Sequence, residues 1–315
     1  MHMIANAPDH LLSLSGLDPA GLEALLALSA DLKADPTAHA GALRGRTVLL
    51  HFTKPSTRTR ISFEAATARL GGHPVFAGPD QLQLGRGEPI SDSARVISRY
   101  CAAIVIRTHA HADVEEFAWW STVPVVNALT DTHHPCQALA DLLTLQEHFG
   151  ALAGLEVAYV GDGNNVAHSL IEACVLAGIH VRLACPAGYH PHADVVAWAA
   201  GVATETGGSV RILDDPAEAV AGAHAVYTDV FVSMGEDELR DEKLAVLGRY
   251  QVDETLMARA RPDAVFMHCL PAHRGEEVTE AVLEGPQSVV FDQAENRLHT
   301  AAAVLVTLTS RAPAA

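Results

Sequence analysis

The sequence predicts an α/β protein built as two wound parallel-sheet α/β domains joined by interdomain helices, on three observations. Its 315 residues are about twice the usual extent of one hydrophobic core. Short β-branched runs alternate with helical patterns along the chain, the signature of βα units wound round a parallel sheet. The runs end at polar or Gly-rich turns, where wound sheets place ligands.

The elements follow in order. Asp18 caps a first helix with Pro19 in its first turn and Leu22, Leu25, Leu26, Ser29 and Leu32 at helical spacing. Thr47 to Phe52 reads as a strand, and Ile61 to Leu70 as a helix stopped by Gly71-Gly72. Buried strands are expected at Ala103 to Arg107 and Val123 to Ala128, with a helix over His111 to Trp120 between them. Pro135 opens one long helix through Phe149, closed by Gly150. A second series of strands is expected at Glu156 to Val160, Val181 to Ala184, Ala225 to Thr228 and Ala264 to His268. The last helix spans Asn296 to Ser310. This gives a first domain over 1–133, a second over 134–294, and a segment 295–315 packing back on the first. Ala77 to Glu88 and Ser233 to Arg249 read as mobile loops.

Composition narrows the function. Apolar residues are 49% and charged residues 19% of the chain, too apolar for a disordered segment. Lys plus Arg number 21 against 38 Asp plus Glu, a net charge of −17 that repels nucleic acid and anionic membranes. No apolar run approaches the roughly 18 residues of a membrane span, and the start shows no secretory pattern. Cytoplasm is therefore the expected compartment, with neither nucleic acid nor membrane as partner. Five scattered cysteines without a CxxC pair fit reduced thiols. The histidine pairs His109/His111, His133/His134 and His190/His192 lack zinc-site spacing, so no metal is expected.

An anionic ligand must then be caught locally. After the Thr47 to Phe52 strand comes Lys54-Pro55-Ser56-Thr57-Arg58-Thr59-Arg60, leading into a helix. Strand, hydroxyls and arginines meeting at a helix N-terminus combine backbone N–H donors with full positive charge. An ordinary helix cap would need only the hydroxyls; two arginines and a lysine in seven residues favour a phosphate site. It is no Walker loop, because the glycines and the Gly-Lys-Ser/Thr ending are missing. Gly161-Asp162-Gly163-Asn164-Asn165-Val166 also joins a strand to a helix, but Val166 stands where a dinucleotide fingerprint needs its third glycine. It reads as a polar ligand loop, and no cofactor is expected.

Four motifs occur in order: Ser56-Thr57-Arg58-Thr59-Arg60, His134-Pro135-Cys136-Gln137, Asp229 with Ser233-Met234-Gly235, and His268-Cys269-Leu270-Pro271. Together they resemble the ornithine-specific members of the aspartate/ornithine carbamoyltransferase family, over nearly the whole chain. The resemblance implies a carbamoyl-phosphate domain and an ornithine domain, in a homotrimer or higher multiple with active sites between subunits. It implies transfer of the carbamoyl group of carbamoyl phosphate to the δ-amine of L-ornithine, giving citrulline and phosphate, in arginine biosynthesis or catabolism.

By that similarity Ser56, Thr57, Arg58 and Thr59 hold the phosphate, and Arg107, His134 and Gln137 hold the carbamoyl carbonyl and amide. Gln83 resembles the residue a neighbouring subunit inserts, and Arg297 the late arginine that reaches carbamoyl phosphate. Asn165 and the Ser233-Met234 backbone would take the ornithine α-carboxylate and Asp229 its α-ammonium. Cys269 and Leu270 would contact carbamoyl phosphate beside the incoming amine. Arg58, Arg107, His134 and Cys269 are the expected catalytic contacts; the thiol is no covalent nucleophile, because the substrate amine attacks. Either imidazole of His133-His134 could face the pocket, and spacing to Pro135 and Gln137 favours His134. Pro89 departs from the serine more usual in the family. Rival readings are another acceptor (putrescine, an N-acylornithine or aspartate) or a non-catalytic phosphate-binding paralogue.

Overall fold

The computed structural model describes residues 9–233, 235 and 237–310. They fall into two compact units, 9–143 with 295–310, and the described residues of 144–294. The first contains α1 (Pro19–Ala34), β1 (Thr47–Phe52), α2 (Arg58–Arg69), β2 (His73–Ala77), α3 (Ile90–Ile97), β3 (Ala103–Arg107), α4 (His111–Trp120) and β4 (Val125–Leu129). α5 (Pro135–Phe149) runs through the boundary into the second, which holds β5 (Glu156–Val160), α6 (Asn165–Leu176), β6 (His180–Ala184), α7 (Ala193–Thr206), β7 (Ser209–Leu213) and α8 (Pro216–Val220). It continues with β8 (Ala225–Thr228), α9 (Arg240–Leu247), α10 (Glu254–Met257), β9 (Val265–His268) and α11 (Glu280–Leu283); α12 (Val290–Thr309) leads back to the first.

The sheets run β2-β1-β3-β4 and β7-β6-β5-β8-β9, and every described strand pair is parallel. The fold class is thus the one the sequence predicts. Central strands carry it: all five residues of β3 and four of five in β5 are buried, as parallel strands covered on both faces must be. Ile104, Ile106, Val114 and Phe117 lie in the core of the first unit, and Val160, Val226, Phe231 and Phe266 in that of the second.

Local rules hold at the helix ends. Asp18 accepts the Gly21 N–H at 2.7 Å to cap α1, and Gly150, at φ 79°, closes α5 in the left-handed region. The misses have a common cause. β2 and β7 were not foreseen; both are edge strands, half-buried, and β2 contains a proline, so neither reads as a continuous apolar run. The Ser233 to Arg249 stretch is not all loop: α9 forms within it, burying Lys243 and Leu247. α12 begins at Val290 rather than Asn296.

Candidate active site

In the first unit β1 is followed by β2 on one side and, after a return, β3 on the other. At such a reversal the loops leaving the strand ends diverge and open a crevice for ligand. Phe52 of β1 pairs with Arg107 of β3 at that end, and the Thr53 N–H and hydroxyl both donate to the Arg107 carbonyl, at 2.9 and 3.3 Å. The basic hydroxyl-rich loop therefore emerges beside Arg107. α2 starts at Arg58, and the Thr57 hydroxyl is not used to cap it, so the first-turn N–H groups keep their capacity for an anion.

Arg297, on α12 and 3% exposed, joins this group from the far end of the chain. One guanidinium nitrogen donates to Gln137 Oε1 and the other to Thr59 Oγ1 at 2.9 Å; Gln137 in turn donates to Asp141 at 2.9 Å. Other ties of α12 within this unit are Lys33 to Asn296 at 2.8 Å and Arg46 to the Thr309 carbonyl at 3.2 Å.

His134 is buried next to three cations. Burial first, then the charges of Arg297, Arg107 and Arg58, hold its pKa well below the usual imidazole range. It is neutral at physiological pH, with one ring nitrogen a donor and the other an acceptor. His133 instead turns its ring edge-on to His111, centroids 4.9 Å apart, which separates the two neighbours. Cys136 is inert by comparison: burial raises its pKa to about 11, and its thiol donates to the Asn127 carbonyl at 3.4 Å.

The second unit repeats the logic. β5 lies between β6 and β8, so the loop after β5 and the residues after β8 share the crevice end of their sheet. Asn164 caps α6, its Oδ1 accepting from the Val166 and Ala167 N–H groups at 2.9 and 3.2 Å, while its Nδ2 donates to Asp229 Oδ2 at 2.8 Å. The other Asp229 oxygen accepts from the Cys269 thiol at 2.9 Å. Lys243 reaches back from α9 to Asp162 at 2.8 Å, with both side chains largely buried. Gly163 is obligatory, because a Cβ there would stand 2.4 Å from the Pro191 backbone nitrogen. His268 Nδ1 accepts the Leu270 N–H at 2.8 Å, leaving Nε2 to face Glu277 at 3.3 Å.

Of the expected site residues, Arg58, Thr59, Arg107, His134, Gln137 and Arg297 gather in the first unit, with Ser56 and Thr57 on the loop leading to them. Gln83 stands apart, exposed at the start of the 3-10 turn Gln83–Arg86. Asp229 and Cys269 meet in the second unit; Leu270 follows in the same turn, Asn165 opens α6, and Ser233 is half-buried. Met234 lies outside the described residues. Sequence reasoning missed the contact made by Asn164, which an asparagine ahead of an apolar helical run could have signalled. Nothing local signals Lys243 or Asp141.

Residues 9–147 match the family described as aspartate/ornithine carbamoyltransferase, carbamoyl-P binding domain, and residues 153–308 that described as aspartate/ornithine carbamoyltransferase, Asp/Orn binding domain. The ornithine carbamoyltransferase of Acidothermus cellulolyticus is 54% identical over 296 residues, 94% of this chain and 95% of its own. The anabolic ornithine carbamoyltransferase of Pyrococcus furiosus is 53% identical over 263 residues, 84% of each. A solved structure of ornithine carbamoyltransferase from Pyrococcus furiosus superposes with a TM-score of 0.94, covering 99% of each chain at 47% identity.

Proposed function

The chain belongs to the aspartate/ornithine carbamoyltransferase family, and from that premise we propose that its first unit holds carbamoyl phosphate and its second L-ornithine. The reaction is carbamoyl transfer to ornithine, yielding citrulline and phosphate. Attack by the neutral δ-amine puts negative charge on the carbamoyl oxygen, and phosphate leaves carrying its own.

Ser56, Thr57, Thr59 and the first turn of α2 receive the phosphate, and Arg58 spans the bond that breaks. Arg107 and His134 donate to the carbamoyl oxygen; a neutral His134 donates without adding a fourth charge to the arginines. Gln137, oriented between Arg297 and Asp141, addresses the carbamoyl amide. Asp229 pairs with the α-ammonium, Asn165 and the backbone N–H groups of Ser233-Met234 take the carboxylate, and Cys269 with Leu270 lies beside the δ-amine. The departing phosphate accepts the amine proton, so no side-chain base is required.

The observation that carries this reading is the convergence of Arg58, Arg107 and Arg297 on a buried, uncharged His134, a cationic pocket in a chain of net charge −17. The proposal extends to a homotrimer completed by Gln83 from a neighbour, supported by the exposure of that side chain. It also places the protein in the cytoplasm and in arginine biosynthesis; no described helix is long and apolar enough to cross a membrane. Product analysis of the purified protein with carbamoyl phosphate and a mixture of ornithine, putrescine and aspartate tests the assignment. Citrulline should dominate; ureidosuccinate or carbamoylputrescine as main product would overturn it.

A further inference from the structure

Behind the Cys269–Leu270 turn lies a second cluster that the transfer reaction does not use. Glu277 is 0% exposed. Its Oε1 accepts from the His273 backbone N–H and faces His268 Nε2, whereas its Oε2 is buried with no hydrogen-bond partner among the described residues. Glu276 repeats the pattern: Oε1 accepts from the Arg240 guanidinium, and Oε2 is buried with no hydrogen-bond partner among the described residues. Opposite both stands His273 Nδ1, likewise buried and without a hydrogen bond to any described residue, 3.8 Å from Glu277 Oε2 and 3.9 Å from Glu276 Oε2.

Those separations exceed hydrogen-bonding distance, so an imidazole proton satisfies neither oxygen, and two carboxylate oxygens withdrawn from water without a donor are costly. A cation between the three atoms answers all of them at once. Zinc holds nitrogen and oxygen ligands at about 2.0–2.2 Å, hence about 3.4 Å from one another in a tetrahedron. The three atoms lie within 4.8 Å of one another, and two of the separations need to close by only a few tenths of an ångström. The backbone builds the cluster: Gly275 takes φ 88°, its N–H donates to the Val278 carbonyl at 2.8 Å, and the Glu276 N–H to the His273 carbonyl at 3.0 Å. This tight turn brings side chains 273, 276 and 277 to one point.

We propose that His273 Nδ1, Glu276 Oε2 and Glu277 Oε2 bind a divalent first-row metal ion, Zn2+ in preference to Mn2+. One imidazole and two carboxylates are a borderline-hard donor set, and affinity at such sites rises along the first row towards copper and zinc. The His273 side chain is 41% exposed, so the cluster lies close to solvent. This revises the expectation of no metal that the histidine spacings carried. The ion fixes Glu277, whose other oxygen orients His268, whose Nδ1 holds the Leu270 N–H; it thus anchors the Cys269–Leu270 turn without entering the chemistry.

Co2+ titration of the metal-stripped full-length protein, followed by absorption, tests this. Asp229, His268 and Cys269 also lie close enough to share an ion, and a thiolate ligand there would add a sulfur-to-cobalt charge-transfer band. The expected result is one Co2+ per chain with visible d–d bands and no such band, displaced by Zn2+, together with a raised Tm. Both His273→Ala and Glu276→Gln should abolish that binding. His273→Ala removes a half-exposed ring, so it still decides the matter should Glu276→Gln, through Arg240, disturb folding. Binding retained in the variants, a spectrum carried by the thiolate band, or no saturation by millimolar Co2+ would overturn the proposal.

Discussion

Asp229→Asn isolates a single charge. Asp229 is buried, with one oxygen accepting from Asn164 Nδ2 at 2.8 Å and the other from the Cys269 thiol at 2.9 Å. An asparagine fits the same space: its Oδ1 keeps the bond from Asn164, and its Nδ2 faces Cys269 Sγ, which turns from weak donor to weak acceptor. Both bonds lose the help of the charge, so the fold loses about as much as one ordinary hydrogen bond, 0.5–1.5 kcal/mol. Ornithine binding loses more, because a bond to an ionised partner contributes about 1.5–3 kcal/mol, which is roughly 10- to 150-fold in affinity at about 1.4 kcal/mol per decade. Initial rates of citrulline formation against ornithine, at saturating carbamoyl phosphate, should show KM for ornithine raised by that factor. KM for carbamoyl phosphate should stay the same and Tm fall by only a few degrees. An ornithine KM within twofold of the parent protein would refute the pairing of Asp229 with the α-ammonium.

Arg58→Ala should lower kcat at least about 10²- to 10³-fold, the usual cost of one donor to developing charge, with thermal unfolding unchanged; undiminished turnover would remove Arg58 from the phosphate site. His134 carries a depressed pKa when folded, so below about pH 6.5 the unfolded chain takes up a proton that the folded chain refuses. Its contribution is intact above that pH and falls by about 1.4 kcal/mol per unit below it, until the folded value is reached. Urea unfolding at pH 7.5, 6.5 and 5.5 should show a shallower acid decline in His134→Asn than in the parent; equal slopes would mean the imidazole titrates freely. Burial raises the pKa of Cys136 to about 11 and that of Cys185 further. Alkylation at pH 8 followed by mass spectrometry should therefore leave both unmodified in the native protein and label them after denaturation.

Much of this molecule is legible in its sequence because the relevant rules act over a few residues. Burial on both faces makes β3 and β5 continuous apolar runs, and Asp18 and Pro19 announce α1. Edge strands escape such reading: β2 and β7 are half-exposed, so their side chains carry too little of the core to mark them. α9 escapes for a related reason, since only part of one face of a short helix is buried.

The site divides along the same line. The motifs at positions 56–60, 134–137, 229 and 268–270 stand at strand ends and helix starts, where short-range rules place them, so the sequence alone determined the fold class and proposed the ligands. Tertiary structure decided which neighbours meet: it put His134 among the arginines and His133 against His111, and gave the bond to Asp229 to Asn164. It also brought Arg297 to Thr59 across 238 positions and Lys243 to Asp162 across 81. Contacts at that range depend on strand register and helix rotation, which many residues set together, and no local pattern of spacing or propensity encodes them.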